Sequence, residues 1–205
     1  MRLSDRLNTI ASYIKKGESI ADIGTDHALL PIFLWKHGIC SKIIISDINE
    51  GPLEKARANI NRLCPDMDVD IRIGNGLNNI LKNEVNSVII AGMGGLLIID
   101  ILGYDIDKSR SFDRFILQPR NASDKLRIWL YENNFNIHDE KLVLEGKYIC
   151  EVIEVKPNTS NKTSLMNQDL LKEKESNLEF EINPILFRNK DPLLKSLSRL
   201  AMSVS

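Results

Sequence analysis

The alternation of short apolar runs with longer amphipathic runs constrains the fold of this chain more than any other feature. Residues 42–48 (KIIISDI) are rich in β-branched side chains and apolar on both faces, which is typical of a central parallel strand. Residues 51–63 (GPLEKARANINRL) predict a helix with Pro52 in its first turn, where proline is tolerated. Because parallel strands are joined by helical crossovers, the pattern predicts an α/β fold with a doubly wound sheet.

The same reasoning predicts the other elements. Strands are expected at residues 19–24, 42–48, 69–74, 87–92 and 114–119. Helices are expected between Ser4 and Gly17 and at residues 27–38, 51–63, 95–102 and 123–134, the last with Ser123 as its N-cap. Residues 136–155 predict two strands joined at Glu145–Gly146, with no helix between them. This terminal hairpin adds an antiparallel strand, so we expect a mostly parallel, seven-stranded sheet.

The composition of the chain changes after residue 156. A length of 205 residues suits one domain with a small appendage. We assign residues 1–156 to that domain, and residues 157–205 to a polar linker and a short, truncated helical region that starts at Asp191.

Composition also excludes several classes of protein. The net charge is −1, so the chain as a whole does not have the charge of a nucleic-acid-binding protein, although a local basic patch is compatible with it. The three cysteines and three histidines are widely spaced, which argues against a zinc site and suits a reducing compartment. No apolar run approaches the ~20 residues of a membrane helix. We therefore expect a soluble, cytoplasmic protein with no metal centre and no membrane contact.

The segment SIADIGTDHALLP (residues 19–31) predicts a strand, a tight turn and the start of a helix. A dinucleotide-binding turn needs the pattern G-x-G-x-x-G, but Asp26 stands where the second glycine would be, and no P-loop pattern is present. Carboxylates at Asp22 and Asp26 suit a ligand with an ammonium or sulfonium group, and S-adenosylmethionine carries both. The alternative is that Asp26 only caps the following helix.

Polar side chains follow the next two strands as well. Asp47 lies at the end of the second strand, where a carboxylate can accept hydrogen bonds from ribose hydroxyls. Asn75 lies in a Gly-Asn-Gly turn after the third strand and could bond an adenine amino group. The alternatives are a solvated loop aspartate and a plain turn.

Glycines and amides follow the fourth and fifth strands. Gly92, Met93 and Gly94 let the backbone approach a large, flat group after the fourth strand, and Gln118 and Asn121 follow the fifth. Because open α/β sheets bind ligands at the carboxyl ends of their strands, these turns predict one common site.

Six segments of the chain resemble a known family. LSDRLNTIASYI, ADIGTDHALLP, SDINEGPLEKARANI, IRIGNGL, VIIAGMGG and ILQP resemble the bacterial tRNA adenine-N1 methyltransferases that modify position 22 in the D-arm. The resemblance covers residues 2–156 and continues more weakly through INPILFRNKDPLL. It implies a Rossmann-like class I methyltransferase fold, S-adenosylmethionine as the methyl donor and tRNA as the partner.

The resemblance also implies the site residues. It assigns donor binding to Asp22, Gly24, Thr25, Asp26, His27, Asp47, Ile48, Asn49, Asn75, Gly76, Ala91, Gly92 and Met93. Gly92, Met93, Gly94 and Gln118 would position the target adenine, with no certain catalytic residue. Family members usually carry a longer helical domain after the catalytic one.

Adenine N1 has an in-plane lone pair and no proton at neutral pH, so we expect catalysis by positioning rather than by a general base. A paired adenine must first leave its stack, after which Gln118 and Asn121 could bond its edge. Candidate phosphate contacts are Lys15, Lys16, Arg120 and Arg127. Three alternatives stay open: a methyltransferase for another RNA or small molecule, an NAD-dependent oxidoreductase (disfavoured by the missing glycines), and a donor-binding module without activity.

Overall fold

A computed structural model describes residues 1–25, 27–158 and 182–197 of the chain. The strands are β1 (Glu18–Ile23), β2 (Cys40–Asp47), β3 (Asp70–Ile73), β4 (Ser87–Met93), β5 (Arg114–Pro119), β6 (Phe135–Glu145) and β7 (Tyr148–Pro157). The helices are α1 (Asp5–Ala11), α2 (Leu29–Lys36), α3 (Glu50–Leu63), α4 (Gly95–Tyr104), α5 (Ile106–Ser109), α6 (Ser123–Glu132) and α7 (Pro184–Arg188).

The described strands form one seven-stranded sheet in the order β3-β2-β1-β4-β5-β7-β6. The five strands from β1 to β5 are parallel, and β7 pairs antiparallel with both β5 and β6. The predicted fold class is therefore confirmed. Strand order reverses at β1, which pairs with β2 on one side and β4 on the other. Such a reversal opens a crevice at the carboxyl ends of the strands, which is the usual ligand site of open α/β sheets.

Both faces of the sheet are covered by helices. Because successive side chains of a strand point to opposite faces, neighbouring residues of one strand pack into two different apolar clusters. In β2, Ile43 and Ile45 pack into one apolar cluster with α2 and α3, whereas Ile44 packs into a second cluster with α4 and α6. All three isoleucines are buried. This two-sided burial explains why residues 42–48 are apolar without alternation.

Most predicted elements are present, with different ends. Ser4 caps α1 as expected, since its side chain accepts a hydrogen bond from the Leu7 amide, but the helix ends at Ala11 rather than near Gly17. The assignment of Ser123 as an N-cap is wrong: Ala122 holds that position in a left-handed conformation without a side-chain bond, and Ser123 is the first helical residue. The short helices α5 and α7 were not predicted from the sequence.

The described residues after β7 pack against the edge of the sheet. Ile182 and Leu186 form a small apolar cluster with Leu142 of β6. Asp191 also holds this segment in place, because its carboxylate accepts a hydrogen bond of 3.0 Å from the Leu142 amide. Most of the polar linker expected from residue 157 lies outside the described residues. Within the described part of the chain, no helix is long and apolar enough to cross a membrane.

Candidate functional site

A cleft of about 790 Å³ opens at the carboxyl edge of the sheet, over the reversal of strand order. It is lined by Arg6, Leu7, Asp22, Gly24, Thr25, His27, Ala28, Leu29, Leu30, Ala91, Gly92, Gln118, Pro119, Arg120, Glu145, Tyr148, Ile149 and Cys150. The first, fourth and fifth strand ends thus meet in one cavity, as the sequence predicted. Asp26 lies outside the described residues, so its predicted role stays a prediction.

The turn after β1 is built on Gly24. Its φ is +76°, and a Cβ placed there would lie 2.0 Å from Cε of Met93. Its amide donates a hydrogen bond of 2.7 Å to the Ser46 carbonyl of β2. A side chain at this position would therefore meet both a backbone conformation that favours glycine and the side chain of the β4 turn.

Asp22 is a buried carboxylate in the cleft lining. Burial raises the pKa of Asp22 from 3.8 to about 6, although a hydrogen bond with Thr25 and the charge of Arg6 oppose the shift. Burial removes the water that would stabilise the ionised carboxylate, and a cationic ligand nearby stabilises that ionised form instead. This environment suits the cationic ligand that the sequence predicted.

Gln118 supports the wall of the cleft from β5. Its Oε1 accepts hydrogen bonds from the Gly92 amide at 3.2 Å and from Nη1 of Arg6 at 3.1 Å, and its Nε2 donates to the Pro119 carbonyl at 2.8 Å. The side chain is 2% exposed. These bonds show that Gln118 holds the Gly92 peptide; its predicted contact with the edge of the target base stays a prediction.

The turns after β4 and β5 are packed backbone to backbone. The Gly95 amide donates a hydrogen bond of 3.0 Å to the Asn121 carbonyl, and the Arg120 amide donates one of 2.7 Å to the Met93 carbonyl. A Cβ at Gly94 would lie 3.1 Å from Oδ1 of Asn121. These contacts fix the predicted glycine turn beside the β5 loop.

Arg6 and Glu145 were not predicted as site residues, yet both line the cleft. Nε of Arg6 lies 3.2 Å from Oε1 of Glu145, and Oε2 of Glu145 accepts hydrogen bonds from the Ser4 hydroxyl and the Arg6 amide. Burial by itself would raise the pKa of Glu145, but the hydrogen bonds from Ser4 and Arg6 and the charge of Arg6 lower it below its usual value. Local sequence gives no signal for this pair, because the two residues are joined only when the hairpin returns to α1.

The predicted adenosine side lies on the same edge, over β2 and β3, and its residues are not in the lining of the cleft. Oδ1 of Asp47 accepts a hydrogen bond of 2.8 Å from the Asn49 amide, and the Asp47 carbonyl accepts one of 2.9 Å from the Gly74 amide. Asn75 is exposed in the next turn, and Gly76 follows it with a φ of +55°. Asp47 and the 74–76 turn are therefore neighbours, as expected.

Two isoleucines at these strand ends are unusually exposed. Ile48 and Ile73 are each 58% exposed. Asp47 pairs with Ile73 across the β2–β3 ladder, so the two apolar side chains flank neighbouring strand ends. Ile73 was not among the predicted site residues; its exposure at this strand end, which only the fold reveals, makes it a further candidate for apolar contact with a ligand.

One of the predicted phosphate contacts is wrong, and two others lie away from the cleft and stay predictions. Arg127 is 2% exposed and forms ion pairs with Glu140 and Glu151. Lys15 and Lys16 are exposed in the turn before β1, so they lie toward the amino edge of the sheet, away from the cleft. Arg120, the fourth, is exposed and lines the cleft.

The sequence of this chain is similar to those of methyltransferases. A family model described as a methyltransferase domain matches residues 3–153. The tRNA (adenine(22)-N(1))-methyltransferase of Bacillus subtilis is 37% identical over 153 residues, which cover 75% of this chain and 64% of the length of that relative.

Solved structures agree with this similarity. The crystal structure of the B. subtilis m1A22 tRNA methyltransferase TrmK matches with a TM-score of 0.81 and 32% identity, covering 98% of this chain and 84% of that one. A Streptococcus pneumoniae protein solved in complex with S-adenosyl-L-methionine matches with a TM-score of 0.84 and 30% identity, over 98% and 89% of the two chains.

Proposed function

Because the chain belongs to the family of bacterial tRNA (adenine-22-N1) methyltransferases, we propose that it methylates N1 of adenine 22 in the D-arm of tRNA. S-adenosylmethionine is the donor, as the relative solved with that molecule supports. The observation that carries the proposal is the cleft over the strand reversal, which combines the buried carboxylate of Asp22 with the Gly92 wall. Residues 1–156 are proposed as the catalytic domain.

The residues present fit such a donor. In the cleft, Asp22 and Thr25 offer polar groups to its cationic end. On the neighbouring strand ends, Asp47 offers a carboxylate to its ribose, and the exposed Ile48 and Ile73 offer apolar contacts to its adenine. The cavity also lies within the range of about 300–1,000 Å³ that is usual for small-molecule sites. Bound there, S-adenosylmethionine supplies an electrophilic methyl group.

The work of the chain on the acceptor is positioning. Gly92 has a φ of +75° and presents only backbone to the cleft, so a flat base can approach this peptide closely, beside the guanidinium of Arg6. Gln118 accepts a hydrogen bond from the Gly92 amide, and Arg6 donates one to the same oxygen of Gln118, which keeps the peptide in place. Because the N1 atom of adenine already has a free lone pair at neutral pH, orientation and exclusion of water are sufficient, and no general base is required.

The decisive experiment supplies the purified protein with S-adenosylmethionine and tRNA that lacks the modification. Mass spectrometry of the digested RNA should find 1-methyladenosine, and mapping of RNA fragments should place it at position 22. Methyl transfer to another nucleoside would show that the proposed acceptor is wrong. The absence of any transfer to RNA, with donor binding intact, would favour a donor-binding module instead.

Asp47→Ala is expected to weaken donor binding about tenfold, because a carboxylate that accepts ribose hydroxyl bonds contributes on the order of 1.5 kcal/mol. Titration calorimetry with S-adenosylmethionine measures the change. Asp70→Ala is a suitable control, because Asp70 lies at the amino end of β3, away from the cleft. An unchanged dissociation constant for Asp47→Ala would show that Asp47 is only a loop residue.

Donor affinity is expected to fall about tenfold as the pH is lowered from about 7.5 to about 5. In the free protein the pKa of Asp22 is about 6, and a cationic ligand favours the ionised form. Below that pH the carboxyl group must lose a proton before the donor binds, so affinity decreases. The α-amino group of the donor, with a pKa of about 8, is mostly protonated throughout this window and gains slightly more positive charge as the pH falls, so its titration would act in the opposite direction.

The control for this pH dependence is Asp22→Asn, which should bind the donor weakly and with a flat profile. A profile that persists in the variant would show that Asp22 is not the group responsible for the pH dependence.

A further inference from the structure

The side chain of Tyr148 has no role in the proposed donor site and belongs to none of the apolar clusters that pack against the sheet. It is the first residue of β7, directly after the hairpin turn, and it lines the cleft while 66% of its surface is exposed. A large aromatic side chain exposed at the mouth of a binding cleft is an unused contact surface.

The ring is carried on a firmly held turn. Tyr148 pairs with Glu145 across the β6–β7 ladder. Glu145 is in turn bound to α1 through the Arg6 ion pair and the Ser4 hydroxyl. The hairpin end is thus tied to the first helix beside the cleft, so a ligand that stacks on the ring needs to immobilise only two side-chain torsions.

The charges around the ring suit a nucleic acid. Nζ of Lys147 lies 5.3 Å from the centroid of the Tyr148 ring. Arg120 is exposed on the same cleft, and no residue that the structure describes forms an ion pair with it. Glu145 does not oppose these cations, because Arg6 neutralises it. An aromatic face flanked by cations is the usual platform for a base with its phosphates.

We propose that Tyr148 stacks on the target adenine of the RNA once that base has left its own stack. The proposal rests on the proposed function, because it assigns the occupant of the cleft to an RNA base. Gly92 and Tyr148 line one cavity, so a base seated against the glycine wall lies within the same enclosure as the ring. A displaced base loses its neighbours in the RNA, and the tyrosine ring replaces one of them.

The test compares Tyr148→Ala with Tyr148→Phe, which keeps the ring and removes only the hydroxyl. The alanine variant should lower kcat/KM for tRNA by about ten- to a hundredfold, as expected for the loss of one base stack, while the phenylalanine variant stays within about twofold. Donor affinity should be unchanged in both. Tyr104→Ala is the matched control, since Tyr104 is 76% exposed at the far end of α4.

A second measurement separates this proposal from the proposed function. Binding of a fluorescein-labelled D-arm hairpin RNA should weaken in Tyr148→Ala and recover in Tyr148→Phe, whether or not the protein transfers methyl groups. The same RNA with an abasic site at position 22 should bind the wild type and Tyr148→Ala equally.

Three results would overturn the stack on the target base. They are an unchanged kcat/KM and RNA affinity in Tyr148→Ala, an equal loss in Tyr148→Phe, or a difference that persists on the abasic RNA. The wild type could instead bind the RNA through Tyr148 without methylating it. That result would contradict the proposed function and support the contact between Tyr148 and the base.

Discussion

Arg127→Met is expected to lower the free energy of unfolding by about 3–5 kcal/mol, because removal of one partner from a buried ion pair leaves uncompensated charge. Arg127 on α6 faces Glu140 of β6, whose side chain is 0% exposed, and Glu151 of β7, which lies 3.0 Å away. Burial already raises the pKa of Glu140. Without the guanidinium, two carboxyl groups would share an apolar interior. Urea unfolding measures the loss.

The matched control is Arg120→Met, because sequence reasoning gave both arginines the same role as phosphate contacts. Arg120 is exposed, so its replacement should change stability by less than about 0.5 kcal/mol and weaken RNA binding instead. Addition of Glu140→Leu to Arg127→Met should restore part of the stability. If Arg127→Met unfolds at the wild-type urea concentration, the buried ion pairs do not stabilise the hairpin against α6.

Gly95→Ala is expected to lower the free energy of unfolding by about 2–3 kcal/mol through overpacking. A Cβ at Gly95 would lie 2.4 Å from the Ala122 carbonyl oxygen and 2.8 Å from that of Asn121. Both neighbours are backbone atoms, so no side chain can rotate away, and the turns after β4 and β5 must move apart. Because we propose that these turns position the acceptor base, methyl transfer should fall as well.

Gly51→Ala is the control for the glycine substitution. Gly51 lies in the first turn of α3, and a Cβ there would meet nothing within 4 Å. The change should leave stability unchanged or raise it by up to about 1 kcal/mol, since alanine loses less backbone entropy in a helix than glycine. A similar loss in Gly95→Ala and Gly51→Ala would mean that the close approach at Gly95 is not responsible.

Much of the fold could be predicted because its signals are local. The two-sided apolar run 42–48 predicts a central strand wherever it lies in a parallel sheet, and β2 does pair on both sides. The lack of a helix between residues 136 and 155 predicts the hairpin in the same way. Helix ends were less certain: Ser123 resembles an N-cap in sequence, but the left-handed Ala122 begins the helix.

Much of the candidate site could also be predicted, because open α/β sheets bind ligands at the carboxyl ends of their strands. The turns after β1, β4 and β5 meet in one cleft because the carboxyl ends of parallel strands lie at one edge. The family that their motifs resemble is the one to which the comparisons assign the chain. Asp47 and Asn75 lie on the neighbouring part of that edge, outside the lining of the cleft.

By itself the sequence determined the class of fold, the edge that carries the site and the preference for a cationic ligand, because each depends on residues close together in the chain. Only the tertiary structure decided which charges are free. Arg127 and Arg120 look alike in sequence, yet one is buried between two carboxylates and the other faces the cleft. Arg6, Glu145 and Tyr148 enter the site only because the hairpin returns to α1, and contacts between distant segments leave no local pattern.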